Sequence, residues 1–249
     1  MSPGAPRAVA VLLCAGQGTR MGAAVNKVFL PLDGEPLLAH ATRAFLATPT
    51  VDELLFVAHP DETSRVRREI ADVYAPAKTR GVIAGGATRH QSEARALAAL
   101  RADIESGRVD VVLTHDAARP FVDPQDIVAL ITAARSLHAA LLAAPVREDE
   151  VIGRVEPDGA LVSALDSRHL FRAQTPQAFD ARLLLAAYDQ AQVDGFEGTD
   201  TASSVERAGQ AIHVISGAAS NFKVTTPKDL VRAEAALQQA KREPRAAGS

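Results

Sequence analysis

Cations, small residues and isolated acids gather in a few short stretches of this chain. The first reads Cys14-Ala15-Gly16-Gln17-Gly18-Thr19-Arg20-Met21-Gly22 and is soon followed by Asn26-Lys27. Small residues directly after an apolar run let backbone N–H groups approach a phosphate closely. A dinucleotide-binding turn of the G-x-G-x-x-G type would need a third glycine where Met21 stands. Arg20 and Lys27 bring two positive charges, more than a pyrophosphate cradle requires, and so point to phosphoryl chemistry on a nucleoside triphosphate. A second stretch is Gly85-Gly86-Ala87-Thr88-Arg89-His90-Gln91-Ser92, and a third is His115-Asp116-Ala117-Ala118-Arg119-Pro120. Asp116 and Arg119, three apart, suit a structural ion pair, or a metal–phosphate contact beside a grip on an anionic substrate. His115 reads as a packed strand-end residue rather than a base, and the seven histidines show no metal-ligand spacing. Cys14 reads as a small strand-end hydrophobe, not a nucleophile. No Walker A lysine motif, G-x-S-x-G elbow or H-E-x-x-H pair occurs.

These stretches follow short apolar runs, which is where an α/β sheet would position them. Ala8–Cys14 is continuous and β-rich, as for a strand buried on both faces. Further strands are predicted at Glu53–Ala58, Arg80–Ala84, Val109–Thr114, Ala140–Val146 and Ala211–Ile215. Helical spacing lies between and after them: Leu37, Ala41, Ala44 and Phe45; then Ala94, Leu97, Ala98, Arg101 and Ile104; then Leu230, Ala233 and Leu237 after Pro227. Such alternation predicts an α/β fold with a doubly wound, mainly parallel sheet, whose ligands bind beyond the carboxyl ends of the strands. One segment interrupts the pattern. Val151–Val155 and Ala160–Leu165 flank Pro157-Asp158-Gly159, a hairpin signature, so residues 147–169 are expected to project as a β-arm and to dimerise. One domain over 8–240 is expected, with residues 1–7 and 241–249 frayed.

The composition removes several classes of function. The 249 residues carry a formal net charge of -3, without the basic stripe of a nucleic-acid protein. No Trp and two Tyr leave little for base-stacking platforms. No apolar run approaches the ~20 residues that span a bilayer. A single cysteine forms no internal disulfide, and Met1–Arg7 is too short and too polar for a signal peptide, so a cytoplasmic protein is expected.

The ordered set LCAGQGTRM…NK, GGATRHQS, HDAARPF, FRAQTPQAF, GTDTAS and NFKVTTPKDL resembles the 2-C-methyl-D-erythritol 4-phosphate cytidylyltransferase family over residues 8–240. The resemblance implies a nucleotidyltransferase fold, a homodimer built through the β-arm, CTP as co-substrate with Mg²⁺, and a place in non-mevalonate isoprenoid synthesis. It implies that Arg20 and Lys27 stabilise the pentavalent phosphorus. Ala15, Gly16, Gly18, Gly85, Gly86, Ser92 and Ala117 match nucleotide contacts, and Thr175 borders the nucleotide. Asp116, Arg119, Thr199 and Lys223 match positions around the sugar phosphate, with Asp116 also at the metal. Three segments depart from the family pattern. P-K-Q becomes Asn26-Lys27-Val28, P-V-x-D-T becomes Pro145-Val146-Arg147-Glu148-Asp149, and D-R-x-x-L becomes Asp166-Ser167-Arg168-His169-Leu170. Arg168 is then the candidate for holding the substrate phosphate, although on a strand a one-residue shift turns a side chain to the opposite face. Other readings are a cytidylyltransferase for another polyol phosphate, such as ribitol 5-phosphate, and a catalytically inactive nucleotide-binding protein. The latter would be expected to lose the Arg20–Lys27 pair. A nicotinamide oxidoreductase would need an acid closing the second strand, whose end is Val57-Ala58-His59.

Overall fold

The computed structural model describes residues 5–16, 26–147, 150 and 152–242. In chain order the strands are β1 (Arg7–Cys14), β2 (Pro31–Leu32), β3 (Glu35–Pro36), β4 (Glu53–Ala58), β5 (Thr79–Ala84), β6 (Val109–Asp116), β7 (Ala139–Pro145), β8 (Ile152–Val155), β9 (Leu161–Leu165), β10 (Phe171–Asp180) and β11 (His213–Ser216). The helices are α1 (Leu37–Leu46), α2 (Thr63–Val66), α3 (Asp72–Tyr74), α4 (Arg89–Glu105), α5 (Pro124–Leu137), α6 (Ala181–Val193), α7 (Thr201–Arg207) and α8 (Pro227–Arg242).

Seven strands form one sheet in the order β11-β7-β10-β6-β1-β4-β5. All pairings are parallel except the two made by β10, which runs against β6 and β7. The continuous apolar run of β1 follows from burial on both faces. Ala8, Ala10, Leu12 and Cys14 pack with α1, α2 and α5, whereas Val9 and Val11 pack with α4, α6 and α7. A smaller cluster of Leu32, Leu37, Ala118, Val224 and Ala233 seats α8 beside the end of β6. Among the described residues, no helix is long and apolar enough to cross a membrane.

The predicted strands are present, β4 with its predicted ends and the others shifted by a few residues, and two differences matter. β6 runs past Thr114 and so carries His115 and Asp116 at its carboxyl terminus. The reversed β10 was not legible from periodicity, because its inner positions Gln174, Thr175 and Gln177 are polar yet buried. The hairpin stands apart from the main sheet, β8 pairing antiparallel with β9 from Ile152↔Leu165 onward. Its turn is closed by Gly159 at φ 90°, by Gly159 N donating to Glu156 O and by Asp158 Oδ1 accepting from Ala160 N. The arm leaves Val155, Leu161, Val162 and Leu165 exposed. At the ends, Arg7 is held in β1 by Glu53 and α8 continues through Lys241, paired with Asp33, to Arg242. Fraying therefore does not reach these three residues.

Phe179 of β10 is fully buried between β6 and the α6 layer. We predict that Phe179→Ala lowers the unfolding free energy by about 3–5 kcal/mol, the range for a large core truncation. Urea denaturation followed by circular dichroism checks this. A loss under about 1 kcal/mol would place that ring outside the cooperative core.

Candidate active site

The carboxyl ends of β1, β4, β5 and β6 open on a cleft of about 730 Å³. Of the residues singled out by sequence, Ala15, Gly16, Lys27, Gly85, Gly86, Ser92, Asp116 and Lys223 line it, joined by His59, Arg89 and Arg95. Gly18 and Arg20 lie outside the described residues. Ala117 is fully buried with its N–H on Leu13 O, and the wall at that point is Ala118. The nucleotide contact assigned to Ala117 is therefore corrected, because side chain and amide are both already used inside the fold.

Backbone packing dictates the glycine pair. A Cβ on Gly85 would come within 2.8 Å of both Ala15 Cβ and Ser92 Oγ, and one on Gly86 within 2.4 Å of Gln91 Cβ. The turn that results is tied to the start of α4. Thr88 caps the helix by accepting from Gln91 N, while Ser92 Oγ accepts from Gly86 N at 3.1 Å and donates to Thr88 O at 2.9 Å. Ser92 thus shapes the loop from inside it.

Asp116 is the electrostatic centre of the cleft. Its Oδ2 lies 2.8 Å from Lys223 Nζ and 3.9 Å from Arg119 Nε, and its Oδ1 accepts from Arg89 Nε at 3.3 Å. Burial by itself would raise this carboxyl, but the ammonium of Lys223 and the guanidinium groups of Arg89 and Arg119 outweigh it. The group is held well below the usual carboxylate range. Arg119 also donates to Asn221 O at 2.8 Å, leaving its Nε buried with no hydrogen-bond partner. Burial lowers the Arg119 pKa, and the neighbouring Arg89 charge adds to that.

Lys27 reaches the segment that carries Lys223, its Nζ donating to Val224 O at 3.0 Å. Asn26 fixes the chain just before it. The Asn26 amide donates to Cys14 O at 3.1 Å and to Glu62 Oε2 at 2.7 Å, and its Oδ1 caps the short 3₁₀ turn Lys27–Phe29. Phosphate-sized anions would meet several cations and small backbone turns in this cleft.

Comparison with known proteins decides what class of molecule this is. Residues 8–239 match the family model described as 2-C-methyl-D-erythritol 4-phosphate cytidylyltransferase. The chain belongs to that family. A relative of that name from Acidobacterium capsulatum is 41% identical over 94% of this chain and 98% of its own, and one from Geotalea uraniireducens is 38% identical over 93% and 97%. Among solved structures, the 4-diphosphocytidyl-2C-methyl-D-erythritol synthase of Anaerococcus prevotii superposes with a TM-score of 0.81 at 26% identity, covering 94% of this chain and 96% of that one. The 2-C-methyl-D-erythritol 4-phosphate cytidylyltransferase of Thermus thermophilus gives 0.70 at 31% identity, covering 92% and 98%.

In this cytidylyltransferase family member the stretch Ala173–Phe179 acts behind the cleft wall rather than on it. Thr175 is buried; its Oγ1 accepts from Asp116 N at 3.0 Å and donates to His115 Nδ1 at 3.2 Å. His115 Nε2 faces Arg119 O at 3.0 Å, and a carbonyl only accepts, so Nε2 bears the proton. With both ring nitrogens engaged and the ring buried edge-on to Phe45, His115 is a neutral spacer, as its sequence context suggested. Asn221 donates to Thr175 O and Gln174 Oε1, joining this seam to the loop that carries Lys223.

Of the other expected residues, Arg119 meets Asp116 without lining the cleft, and two stand apart from its wall. Thr199 is exposed, and its neighbour Asp200 caps α7 in a capping box with Ser203. Arg168 sits on the arm in a 3₁₀ turn, Ser167–His169, with its guanidinium on Asp166. The strand-alternation argument does not apply there, because the segment is not a strand. Sequence reasoning missed Arg89, although GGATRHQS contains it; only its approach to Asp116 from α4 gives it a part.

Burial pushes His115 down to about 4 from the ordinary value of 6.5. Between those values the unfolded chain binds a proton that the native one refuses, so stability falls as pH drops from 6.5 towards 4. At pH 5 we predict a loss of about 2 kcal/mol relative to pH 8 from this group alone. Urea midpoints measured at both pH values should fall less steeply in His115→Asn. An unchanged slope would show that the ring is protonated in the native protein.

Proposed function

We propose that the protein transfers the cytidylyl group of CTP to 2-C-methyl-D-erythritol 4-phosphate, releasing pyrophosphate and forming 4-diphosphocytidyl-2-C-methyl-D-erythritol for isoprenoid precursor synthesis. The observation that carries this reading, in a chain of this family, is the meeting of Lys27, Arg89, Asp116 and Lys223 around one cleft floored by the Gly85-Gly86 turn.

A phosphate monoester has a second pKa near ~6, so the attacking oxygen is already ionised at neutral pH. No general base is required, and a neutral, fully engaged His115 agrees with that. What the site must supply is the meeting of two anions. Lys27, with Arg20, would neutralise charge growing on the α-phosphorus. Lys223 and Arg119 would orient the incoming phosphate, and Asp116 would keep both cations in place. Among the described residues, no three His, Cys, Asp or Glu side chains gather as a metal cage. Mg²⁺ needs none when phosphates supply most of its ligands, and the ionised Asp116 fits as its single protein carboxylate. When bound it would neutralise triphosphate charge.

We further propose a homodimer made through residues 147–169. The support is the apolar face of the arm, with Leu161 67% and Val155 58% exposed. Arg168, exposed beside it, would serve a substrate phosphate across such a dimer. The free, buried thiol of Cys14 agrees with a cytoplasmic setting.

A pyrophosphate-release screen of CTP, ATP, GTP and UTP against methylerythritol, ribitol and glycerol phosphates tests the assignment. Only CTP with methylerythritol phosphate should turn over efficiently, and preference for ribitol phosphate would change the substrate. Lys27→Ala and Arg20→Ala are predicted to lower kcat by about 10²-fold or more, with smaller changes in nucleotide affinity. Wild-type turnover would remove them from the mechanism. Replacing Ile152–Leu165 by a short Gly-Ser turn should give a monomer in light scattering with much reduced activity. A dimer that survives the deletion would locate the interface elsewhere.

A further inference from the structure

Behind the cleft lies a charged group that the reaction as derived so far does not use. Glu93 sits on the inward face of α4, 2% exposed, on the same stripe as Ala96, Leu97, Leu100 and Ile104. An apolar side chain would pack there without desolvating a charge, whereas a buried carboxylate is costly unless fully paired. Glu93 is fully paired. Its Oε1 meets Arg89 Nη1 at 2.8 Å and accepts from the Thr201 hydroxyl, and its Oε2 accepts from Tyr188 OH at 2.6 Å. Because Thr201 gives its proton to Glu93, Thr114 is the donor in their 2.7 Å contact. Residues from α4, α6 and α7 thus converge on one carboxylate, with Thr114 of β6 behind Thr201, and Tyr188 is itself stacked under His90 at 4.6 Å.

The object they hold is the guanidinium of Arg89. Glu93 takes its Nη1 and Asp116 takes its Nε, while Nη2 is buried with no protein partner. Arg89 lines the cleft and Glu93 does not. A fork fixed at two corners keeps the third in one place, which is what planar recognition of a phosphate needs. A second orphan, Arg119 Nε, belongs to the same group around Asp116. Two unsatisfied buried guanidinium donors beside one carboxylate are a strong sign of an anion that completes the set.

We propose that Glu93 is a positioning residue which, through Arg89, presents a guanidinium N–H to the attacking phosphate of the polyol substrate beside Asp116. The proposal rests on the cytidylyl-transfer reading above and adds Arg89 to the cations that bind the acceptor rather than the nucleotide. The argument for the acceptor side is that Arg89 shares Asp116 with Lys223 and Arg119, the two cations assigned above to the incoming phosphate.

Steady-state kinetics of Glu93→Gln, Arg89→Lys and the double variant, with each substrate varied in turn, test it. Glutamine still accepts from Tyr188 and Thr201 but loses the charge that anchors Arg89. Expected for Glu93→Gln is a KM for methylerythritol phosphate raised about 10-fold, with the KM for CTP and the far-ultraviolet circular dichroism unchanged. Arg89→Lys should raise the same KM by at least as much. The double variant should be no worse than Arg89→Lys alone, since the two residues act in series. Equal rises in both KM values, additive effects in the double variant, or an unmoved polyol-phosphate KM in Glu93→Gln would each overturn the proposal. If Glu93→Gln fails to fold, Arg89→Lys decides alone, because a KM effect confined to CTP or absent overturns it. A wild-type protein inactive with every polyol phosphate would sink the functional reading itself, a result distinct from an active enzyme indifferent to Glu93.

Discussion

The carboxylate of Asp116, 9% exposed at the end of a buried strand, stays ionised only because cations surround it. Each of those cations arrives from a different part of the chain. Arg89 comes from the first turn of α4, Arg119 from the loop after β6, and Lys223 from the segment before α8. Removing the acid would leave three like charges to repel one another in a partly buried space. The acid is therefore the constraint that lets three cations stay clustered on a folded protein before any anion arrives. It holds the cations at a net positive balance without allowing them to separate.

Everything around Asp116 is arranged to keep that group rigid. The amide of Asp116 donates to the Thr175 hydroxyl, which donates to His115 Nδ1, while His115 Nε2 donates to the carbonyl of Arg119, the bond that fixes its tautomer. Asn221 donates its amide to the backbone of Thr175 and accepts the Arg119 guanidinium on its own carbonyl. This seam is polar, yet nearly every group in it has a partner, as buried polar networks must. The reversed strand β10 makes it possible. By running against β6 it places Gln174, Thr175 and Gln177 next to the end of the strand that carries the acid.

The cleft and the arm face different physical demands. The cleft needs charge, small backbone turns and close steric fits such as Gly85 against Ala15 and Ser92. The arm is a two-stranded ribbon with apolar residues left in the open, and such ribbons are marginal by themselves. Its turn chemistry is strong enough to form the hairpin locally, while its apolar face asks for a partner surface.

Much of this was legible in the sequence for simple reasons. Strands buried on both faces write themselves as unbroken apolar runs, so β1 and β4 could be read almost to the residue. Pro157-Asp158-Gly159 announces a turn because its glycine must take a positive φ. Glycine pairs and cations at strand ends mark a phosphate site because few other chemistries need them. The rest depended on distance in the chain. A buried polar strand such as β10 has no apolar period to reveal it. Arg89 and Glu93 look like ordinary helix-surface residues until α4 is laid against β6, α6 and α7. Ala117 and Ala118 are indistinguishable in sequence, and only packing decides which one faces the cleft. Residue type and local spacing determined which chemistry this chain could perform. The tertiary structure alone decided which charges meet, because an ion pair is set by separation in space and not along the chain.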